Sequence, residues 1–420
     1  MSENLRKLVS VRRITAINDI PGADLIKVAT IGGGWPVVVK ANEFKVGDLC
    51  AYFEIDSFLP ESDERYAFLM KSTREFEGVR GHKLRTIKLR GQVSQGLALP
   101  LNMFFADFEG SKFDEGQELS EFFIEGQELT ELLGIKKWEA TLPAELAGQA
   151  EGLFPSFIRK TDQERCQNLV AEIFGYEDTH VPFTAENVPQ EAIDSMTAKG
   201  ELTVINGVVH KVHKAKGDPN ARYEVTLKCD GSSMTVFARN EIQDDPGSGQ
   251  MNSGVCSRNL QLKVNEANAE NSYVKLALQS GLLGVLEMFA RDGEGNFAVQ
   301  GELMGPGIQG NREGLNSTRL YVFDVQNLDE GRYLTPDERR EFMYKLHRAG
   351  VNPNLVDHVP VLQFNVTLDQ LGIRNVADLL KYAEGPSITN KVREGLVFKR
   401  MDAKWSFKAI SNLFLMGEKE

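Results

Sequence analysis

Short apolar stretches separated by glycine, aspartate and proline dominate the first hundred residues of this 420-residue chain. They include "LVSVRRITAI", "PVVVKA", "LCAYFEI" and "LRTIKLR", and helical periodicity is nearly absent from them. Strand-length runs between turn residues are typical of a small all-β barrel or sandwich. We therefore predict a small β-barrel over residues 1–105.

The character of the sequence changes after this barrel. Residues 106–135 are acidic and carry an approximate repeat, "DEGQELSEFF" and "IEGQELTELL", which we interpret as a linker. Strand patterns then alternate with helix patterns over residues 136–420, which predicts an α+β domain with antiparallel sheets. Two domains also agree with the length, because a single hydrophobic core rarely grows beyond about 250–300 residues.

Two capping signatures predict helix starts in the second domain. Thr161 and Glu164 form a Thr-x-x-Glu box before an apolar run. Thr335 precedes Pro336, which suits the first helical position, and Gly350 follows as a stop signal. The stretch "NSYVKLALQSGLLGVLEMFA" predicts one or two amphipathic helices.

Composition argues against several classes of protein. A hydrophobic share of 41% and a charged share of 26% are ordinary for a globular protein, and no apolar run approaches the roughly 20 residues that cross a bilayer. The four cysteines form no CxxC pair, which argues against a zinc site or a disulfide framework. The first residues, "MSENLRKLVSVRRITAI", lack the features of a signal peptide. We expect a cytoplasmic monomer without a membrane partner.

The charge of the chain leaves nucleic-acid binding open. A net charge of −12 weighs against it, because phosphate binding needs clustered positive charge. A local stripe can still supply that charge, and its basic residues are Arg80, Lys83, Arg85, Lys88 and Arg90. A strand edge protected by charge explains the same stripe without any nucleic acid.

The stretch "RYEVTLKCDGSSMTVFAR" alternates apolar and polar residues on both sides of a Cys-Asp-Gly-Ser turn, which predicts a half-buried hairpin. Tyr223, Val225 and Leu227 share one face of its first strand. Lys228 therefore belongs to the opposite, polar face. This alternation leaves Lys228 either a solvated bystander or a nucleophile.

Further polar side chains accompany later strands. Glu302 lies mid-strand in "NFAVQGELMG", on a face that mixes polar and apolar residues. Glu394 opens the strand in "REGLVFKR", and strict alternation puts it on the face opposite Lys399. Both can reach one pocket only if the strand bulges or Glu394 lies off its end. Lys404 and Lys408 are four positions apart in "KWSFK" and share a face. Taken alone, each of these residues also suits a solvated surface position.

The order of these pieces is more specific than any one of them. Lys-x-Asp-Gly at 228–231 is followed by Gly-Glu-Leu at 301–303, "YVFDV" at 321–325, "EGLVFK" at 394–399 and "KWSFK" at 404–408. The series resembles the nucleotidyltransferase motifs of ATP-dependent ligases and RNA capping enzymes. "FPSFIRKTDQERCQNL", "CSRNLQL" and "VQGELMGPGIQGN" resemble RNA ligases in particular. A barrel placed before the transferase domain resembles the Deinococcus and Naegleria type of RNA ligase.

This resemblance implies an ATP-dependent RNA ligase that joins 3′-hydroxyl and 5′-phosphate ends of RNA at nicks, with an N-terminal OB-like barrel that grips the RNA. Lys228 would take AMP from ATP, AMP would pass to the RNA 5′-phosphate, and the 3′-hydroxyl would then displace it. The alternatives are a DNA ligase, a capping guanylyltransferase-like enzyme and a non-catalytic nucleic-acid-binding relative. One departure is Leu227, which stands where many relatives have glutamate.

The same resemblance implies roles for individual side chains. Asp230, Glu302 and Glu394 are the candidates for holding Mg²⁺ or Mn²⁺, a charge that would lower the pKa of the lysine and neutralise the α-phosphate. The remaining roles concern the nucleotide: Lys408 at the α-phosphate, Lys399 and Lys404 at the phosphates, Arg258 at the nucleotide or its phosphates, Phe323 under the adenine and Gly231 in the tight turn.

Overall fold

The computed structural model of the chain describes residues 7–107, 123–138, 148–183, 189–205, 208–241 and 250–417. The first copy of the acidic repeat therefore lies almost entirely outside the described residues, whereas the second copy lies within them.

Antiparallel strands make up the N-terminal part of the described chain. They are β1 Val9–Ile20, β2 Ala23–Ile31, β3 Trp35–Lys40, β4 Leu49–Phe53, β5 Ser57–Pro60, β6 Thr73–Phe76, β7 Val79–Lys83, β8 Ile87–Leu89, β9 Gln92–Ser94, β10 Leu97–Pro100 and β11 Lys136–Lys137. Five of them form a sheet in the order β10-β4-β1-β2-β3, and four form a second sheet in the order β11-β5-β7-β6. The short strands β8 and β9 pair with each other. Two 3₁₀ helices, Glu64–Ser72 and Leu101–Asp107, accompany these sheets.

The second half of the acidic segment packs against the N-terminal sheets. Phe123, Leu129 and Leu133 are buried in one apolar core with Val9 of β1. The backbone N–H of Leu129 also donates to the carbonyl of Val9 at 2.9 Å. This part of the segment is therefore integrated with the barrel, while the domain limits at 105 and 135 stay a prediction.

The C-terminal part of the described chain adds sixteen strands. They are β12 Ala150–Leu153, β13 Glu164–Arg165, β14 Thr179–Pro182, β15 Leu202–Ile205, β16 Val208–His213, β17 Tyr223–Lys228, β18 Ser232–Glu241, β19 Gln250–Cys256, β20 Leu260–Leu262, β21 Phe297–Met304, β22 Arg319–Asn327, β23 Arg332–Tyr333, β24 Val356–His358, β25 Val361–Val366, β26 Gly395–Arg400 and β27 Ser406–Ile410. One sheet has eight strands, in the order β12-β20-β19-β18-β21-β22-β23 with β24 beside β22. A second has the order β13-β27-β26-β17-β25, and a third has the order β14-β16-β15.

Helices accompany these sheets, which confirms the predicted α+β class. The α-helices of the described chain are α1 Val170–Phe174, α2 Gln190–Ala198, α3 Ser272–Gln279, α4 Leu282–Arg291, α5 Pro336–Arg348, α6 Val376–Tyr382 and α7 Asn412–Gly417. Its 3₁₀ helices are Cys166–Asn168, Glu266–Asn268, Gln309–Asn311 and Asp369–Leu371. Helices α3, α4 and α5 contribute to the apolar core of the eight-stranded sheet.

The predicted N-cap at Thr335 is confirmed, and it forms a capping box with Glu338. The hydroxyl of Thr335 accepts from the backbone N–H of Glu338, and the carboxylate of Glu338 accepts from the backbone N–H of Thr335, at the start of α5. The box predicted at Thr161 is wrong. Glu164 belongs instead to β13, and the hydroxyl of Thr161 lies 2.8 Å from Oε1 of Gln300.

The predicted hairpin around Lys228 is also wrong, because its two strands lie in different sheets. Strand β17 pairs with β25 and β26, whereas β18 pairs with β19 and β21. Residues Cys229, Asp230 and Gly231 thus connect the C-terminal five-stranded sheet, which contains β17 and β26, to the eight-stranded sheet. The apolar face of β17 matches its prediction, since Tyr223 and Leu227 are buried in the core of the C-terminal five-stranded sheet.

No single helix in the described ranges is long and apolar enough to cross a membrane. Helices α3 and α4 pass that test only as a pair, and the chain bends by 61° between them.

Candidate active site

The turn after Lys228 brings together residues from two sheets. Lys228 is the last residue of β17, and its partner across the sheet is Gly395, the first residue of β26. Glu394 therefore lies just off the end of β26, which is one of the two arrangements that let it reach the pocket. Glu302 comes from β21 of the other sheet, where it pairs with Ser233 on β18.

Two glycines permit this close approach of strands. A Cβ atom on Gly395 would lie 2.2 Å from the carbonyl oxygen of Ala409 on β27. A Cβ atom on Gly231 would lie 2.4 Å from the carbonyl oxygen of Leu303 on β21. Both positions need glycine for space, because a backbone oxygen cannot move aside as a flexible side chain can.

Lys228 is held as an ammonium by the carboxylates around it. Its Nζ donates to Oε1 of Glu394 at 2.5 Å, and its side chain is 27% exposed. Burial by itself lowers the pKa of Lys228, but Glu394, Glu302 and Asp230 outweigh burial and raise that pKa above its ordinary value. The amine can attack phosphorus only when neutral, so the surrounding negative charge must first be offset.

The carboxyl groups near Lys228 repel one another. Burial, followed by the charges of Glu394 and Asp230, raises the pKa of Glu302 to about 7, although Lys228 and the backbone N–H of Gly231 oppose that rise. Burial and Glu394 also raise the pKa of Asp230. Oε2 of Glu394 is buried and has no hydrogen-bond partner among the described residues.

These carboxylates fit a hydrated divalent cation. Within the described ranges, no three His, Cys, Asp or Glu side chains are close enough to enclose an ion directly. Mg²⁺ usually keeps several of its waters and needs only one or two carboxylates, so the set Asp230, Glu302 and Glu394 is compatible with it. A cation held there would supply positive charge beside both the amine and a phosphate.

A cavity lies beside Ser233, the cross-strand partner of Glu302. It is lined by Phe154, Lys160, Thr161, Ser233, Thr235, Arg258, Gln300 and Phe323. Of the residues predicted to bind the nucleotide, Phe323 and Arg258 are therefore in one cavity. The hydroxyl of Thr161 lies 2.8 Å from Oε1 of Gln300 and 3.0 Å from Oδ2 of Asp324, which anchors one wall.

Lys399 contacts Phe323, which lines this cavity, and the neighbouring Asp324. Its Nζ donates to the carbonyl oxygen of Phe323 and to the carboxylate of Asp324, and the side chain is buried. Burial lowers the pKa of Lys399 to about 8, with Asp324 opposing that fall. The ammonium of Lys399 already binds these oxygens. The geometry therefore favours a role in positioning Phe323 and does not favour the phosphate contact that we predicted.

The predicted phosphate ligands differ in their surroundings. Lys408 on β27 is largely buried, and its Nζ lies 3.4 Å from Oδ1 of Asp162. Arg258 approaches the same carboxylate, with 3.5 Å between Nη2 and Oδ2. Lys404 is exposed and precedes β27, so it does not share a strand face with Lys408 as predicted.

Three further charged residues of the site, Asp162, Arg312 and Lys137, were not predicted from the sequence. Nη1 of Arg312 lies 3.8 Å from Oδ2 of Asp230, and Nζ of Lys137 lies 2.9 Å from Oδ2 of Asp162. The one available signal was the position of Asp162 inside "RKTDQER", which we interpreted as a helix cap.

Two family models match parts of the chain. A family model described as an OB-fold domain matches residues 8–101, and one described as RNA ligase matches residues 221–412. A structure of the Naegleria gruberi RNA ligase with PPi is 36% identical, with a TM-score of 0.72, and the match covers 99% of each chain.

Two mutants of the same Naegleria gruberi enzyme match over 98% of both chains. A lysine-to-alanine mutant with ATP and Mn is 36% identical, with a TM-score of 0.68, and a lysine-to-methionine mutant with AMP and Mn is 37% identical, with a TM-score of 0.69. The search of curated proteins found no match.

Proposed function

The chain belongs to the RNA ligase family and is an ATP-dependent RNA ligase that works by adenylation with a divalent metal, and from this premise we propose that Lys228 carries the AMP and that nicks in RNA are the substrate. The observation that carries the proposal is the enclosure of Lys228 by Glu394, Glu302 and Asp230. An amine set among acidic groups becomes reactive when positive charge arrives with the substrate, which suits a step that must wait for ATP.

Lys228 performs the first step. Its neutral amine forms a bond to the α-phosphorus of ATP, the bond from that phosphorus to the bridging oxygen breaks, and pyrophosphate leaves. Glu394 orients the amine through the 2.5 Å contact, and Gly231 keeps the turn against β21. The lysine-bound AMP then passes to the 5′-phosphate of the RNA, and attack of the 3′-hydroxyl on that phosphate releases AMP.

The nucleotide would lie between the two sheets. Phe323 offers an apolar plate for the base, and Thr161 braces the same cavity. Arg258 and Lys408 supply positive charge for the phosphates, where negative charge grows as pyrophosphate departs. Lys399 holds the backbone of Phe323 from behind.

The basic stripe of the barrel is our candidate for the RNA surface. Lys88 and Arg90 are exposed on the β8–β9 hairpin, and the side chain of Arg80 is 69% exposed. Nζ of Lys83 lies 5.5 Å from the centre of the Trp138 ring, so an aromatic ring lies beside this cation of the stripe. Clustered positive charge beside an aromatic ring suits a nucleic-acid backbone and its bases.

The proposal includes a monomeric enzyme in the cytoplasm. All four cysteines are unpaired, which suits a reducing compartment.

A strand-sealing assay tests the proposal. The protein, ATP and Mg²⁺ or Mn²⁺ are mixed with nicked duplexes that differ only in RNA or DNA on the 3′-hydroxyl side, and the ligated product is measured. We expect efficient sealing of the RNA nick, weak sealing of the DNA nick and no sealing by Lys228→Ala. Equal sealing of both nicks would contradict RNA specificity, and sealing by the alanine variant would contradict the role of Lys228.

A further inference from the structure

One carboxylate in the nucleotide site is surrounded by cations from three distant parts of the chain. Asp162 lies 2.9 Å from Nζ of Lys137, 3.5 Å from Nη2 of Arg258 and 3.4 Å from Nζ of Lys408. Burial alone would raise the pKa of Asp162, but Lys408, Lys137 and Arg258 outweigh burial and hold that pKa well below its ordinary range. Asp162 is therefore an anion whenever the nucleotide site is empty.

Two of these cations are the same groups that we assign to the phosphates of ATP. Arg258 lines the nucleotide cavity, and so does Thr161, the residue immediately before Asp162. A phosphate that approaches Arg258 and Lys408 would meet the carboxylate already there. Like charges at such a distance repel, so ATP and Asp162 compete for the same two cations.

The third cation can retain Asp162 when the other two turn to phosphate. The contact with Lys137 is the shortest of the three, and Lys137 belongs to β11, which pairs with Ser57 on β5 of the N-terminal sheets. A small movement of the carboxylate toward Lys137 would release Arg258 and Lys408 without leaving Asp162 unpaired. The ion pair that remains would link the occupied nucleotide site to the N-terminal sheets.

We propose that Asp162 is an internal competitor of the nucleotide: it neutralises Arg258 and Lys408 in the empty site, and when ATP binds it releases them and stays paired with Lys137 alone. Asp162 is a positioning residue in this account, since it acts through the cations that bind phosphate. The inference rests on the proposed nucleotide site and does not depend on which residue carries AMP.

The test is equilibrium binding of α,β-methylene-ATP with Mg²⁺, measured by calorimetry on the full chain, because this analogue cannot transfer AMP. Asp162→Asn removes the competing charge, so we expect the analogue to bind about five-fold more tightly, the effect of one unit charge a few ångströms away in a watery site. Lys137→Met removes the cation that would retain Asp162, so we expect weaker binding of the analogue. In the double variant, the Lys137 substitution should have no further effect.

Asp19→Asn is the matched control, since it removes one carboxylate that pairs with a lysine on the exposed surface of the barrel, and binding should stay unchanged. Asp162→Glu should restore binding close to that of the unmodified protein. Unchanged or weaker binding of the analogue in Asp162→Asn would overturn the proposal. Equal losses of affinity from Lys137→Met in the unmodified protein and in the Asp162→Asn variant would also overturn it. Failure of Lys228 to carry AMP would leave these binding results unaffected, so the two proposals can fail separately.

Discussion

Lys228 at the end of β17 and Glu394 just before β26 form an ion pair, with 2.5 Å between Nζ and Oε1. The pair depends on the register of β17 and β26, which sets Lys228 opposite Gly395. It also favours the protonated amine, so the nucleophilic role that we propose for Lys228 requires charge from the substrate complex to offset the carboxylates.

Replacement of Glu394 by glutamine should lower the pKa of Lys228, because the largest of the influences that favour the ammonium is removed. Competitive acetylation of the protein across a pH series, read out by peptide mass spectrometry, reports the neutral fraction of this lysine. We expect its titration midpoint to move to lower pH in Glu394→Gln. Glu341→Gln, on the exposed surface of α5, is the control. A midpoint in Glu394→Gln equal to that of the unmodified protein would contradict the ion pair.

Gly395→Ala should destabilise the fold and weaken adenylation together. Its Cβ atom would lie 2.2 Å from a backbone oxygen of β27, so the two strands must separate and Glu394 must shift. We expect a loss of about 1–3 kcal/mol in the free energy of unfolding, as for other overpacked sites. Urea titration measures it. Gly284→Ala in α4 is the control, because its Cβ meets nothing within 4 Å and alanine favours a helix by about 0.5–1 kcal/mol. Equal midpoints for the two variants would refute this argument.

His358 should make the fold sensitive to acid. Its Nε2 accepts from Nε of Arg339 at 3.0 Å, and its Nδ1 donates to the carbonyl oxygen of Val359 at 2.6 Å, so the ring is neutral. Burial and Arg339 lower the pKa of His358 to about 4, below its value of 6.5 in the unfolded chain. The unfolded chain therefore binds more protons between these values, and stability falls as the pH drops from about 6.5 to about 4.

The measurement is the free energy of unfolding across that pH range. His358 should account for a loss of up to about 3 kcal/mol. The His358→Gln variant keeps an acceptor for Arg339 and a donor for Val359, so its pH dependence should be shallower by that amount. Parallel curves for the two proteins would show that another group causes the acid sensitivity.

Replacement of Lys88 and Arg90 by alanine should weaken RNA binding through the barrel. Each lost phosphate contact lowers the slope of log affinity against log salt by about 0.7–0.9, so loss of both contacts should make the slope smaller by about 1.4–1.8. Binding to a nicked RNA duplex at several salt concentrations measures this slope. A matched double variant removes Lys27 and Lys40 from the same barrel and should keep the slope. Equal slopes in the two double variants would show that the RNA binds another surface of the protein.

Sequence patterns predicted the features that depend on neighbouring residues. The capping box at Thr335 is formed within one helical turn, and the apolar face of β17 follows from alternation within one strand. Phe323 and Arg258, which the motif series assigned to the nucleotide, line one cavity. Their roles in binding the nucleotide stay predictions.

Features that depend on distant contacts were missed or wrong. Alternation predicts a strand but does not choose its partner, so β17 and β18 were taken for a hairpin although they lie in separate sheets. Thr161 has the pattern of a helix cap, yet Gln300 and Asp324 bind its hydroxyl instead. Asp162 gave no recognisable signal, because its three partners come from positions far apart in the sequence.

The most direct test of the central claim is the mass of the intact protein after incubation with ATP and Mg²⁺ or Mn²⁺, followed by peptide mapping. We predict a gain of one adenylyl group, located on Lys228, that disappears when pyrophosphate is added back and is absent from Lys228→Ala. An adenylyl group on another residue, or a protein that never gains this mass under conditions where it seals RNA, would contradict the account.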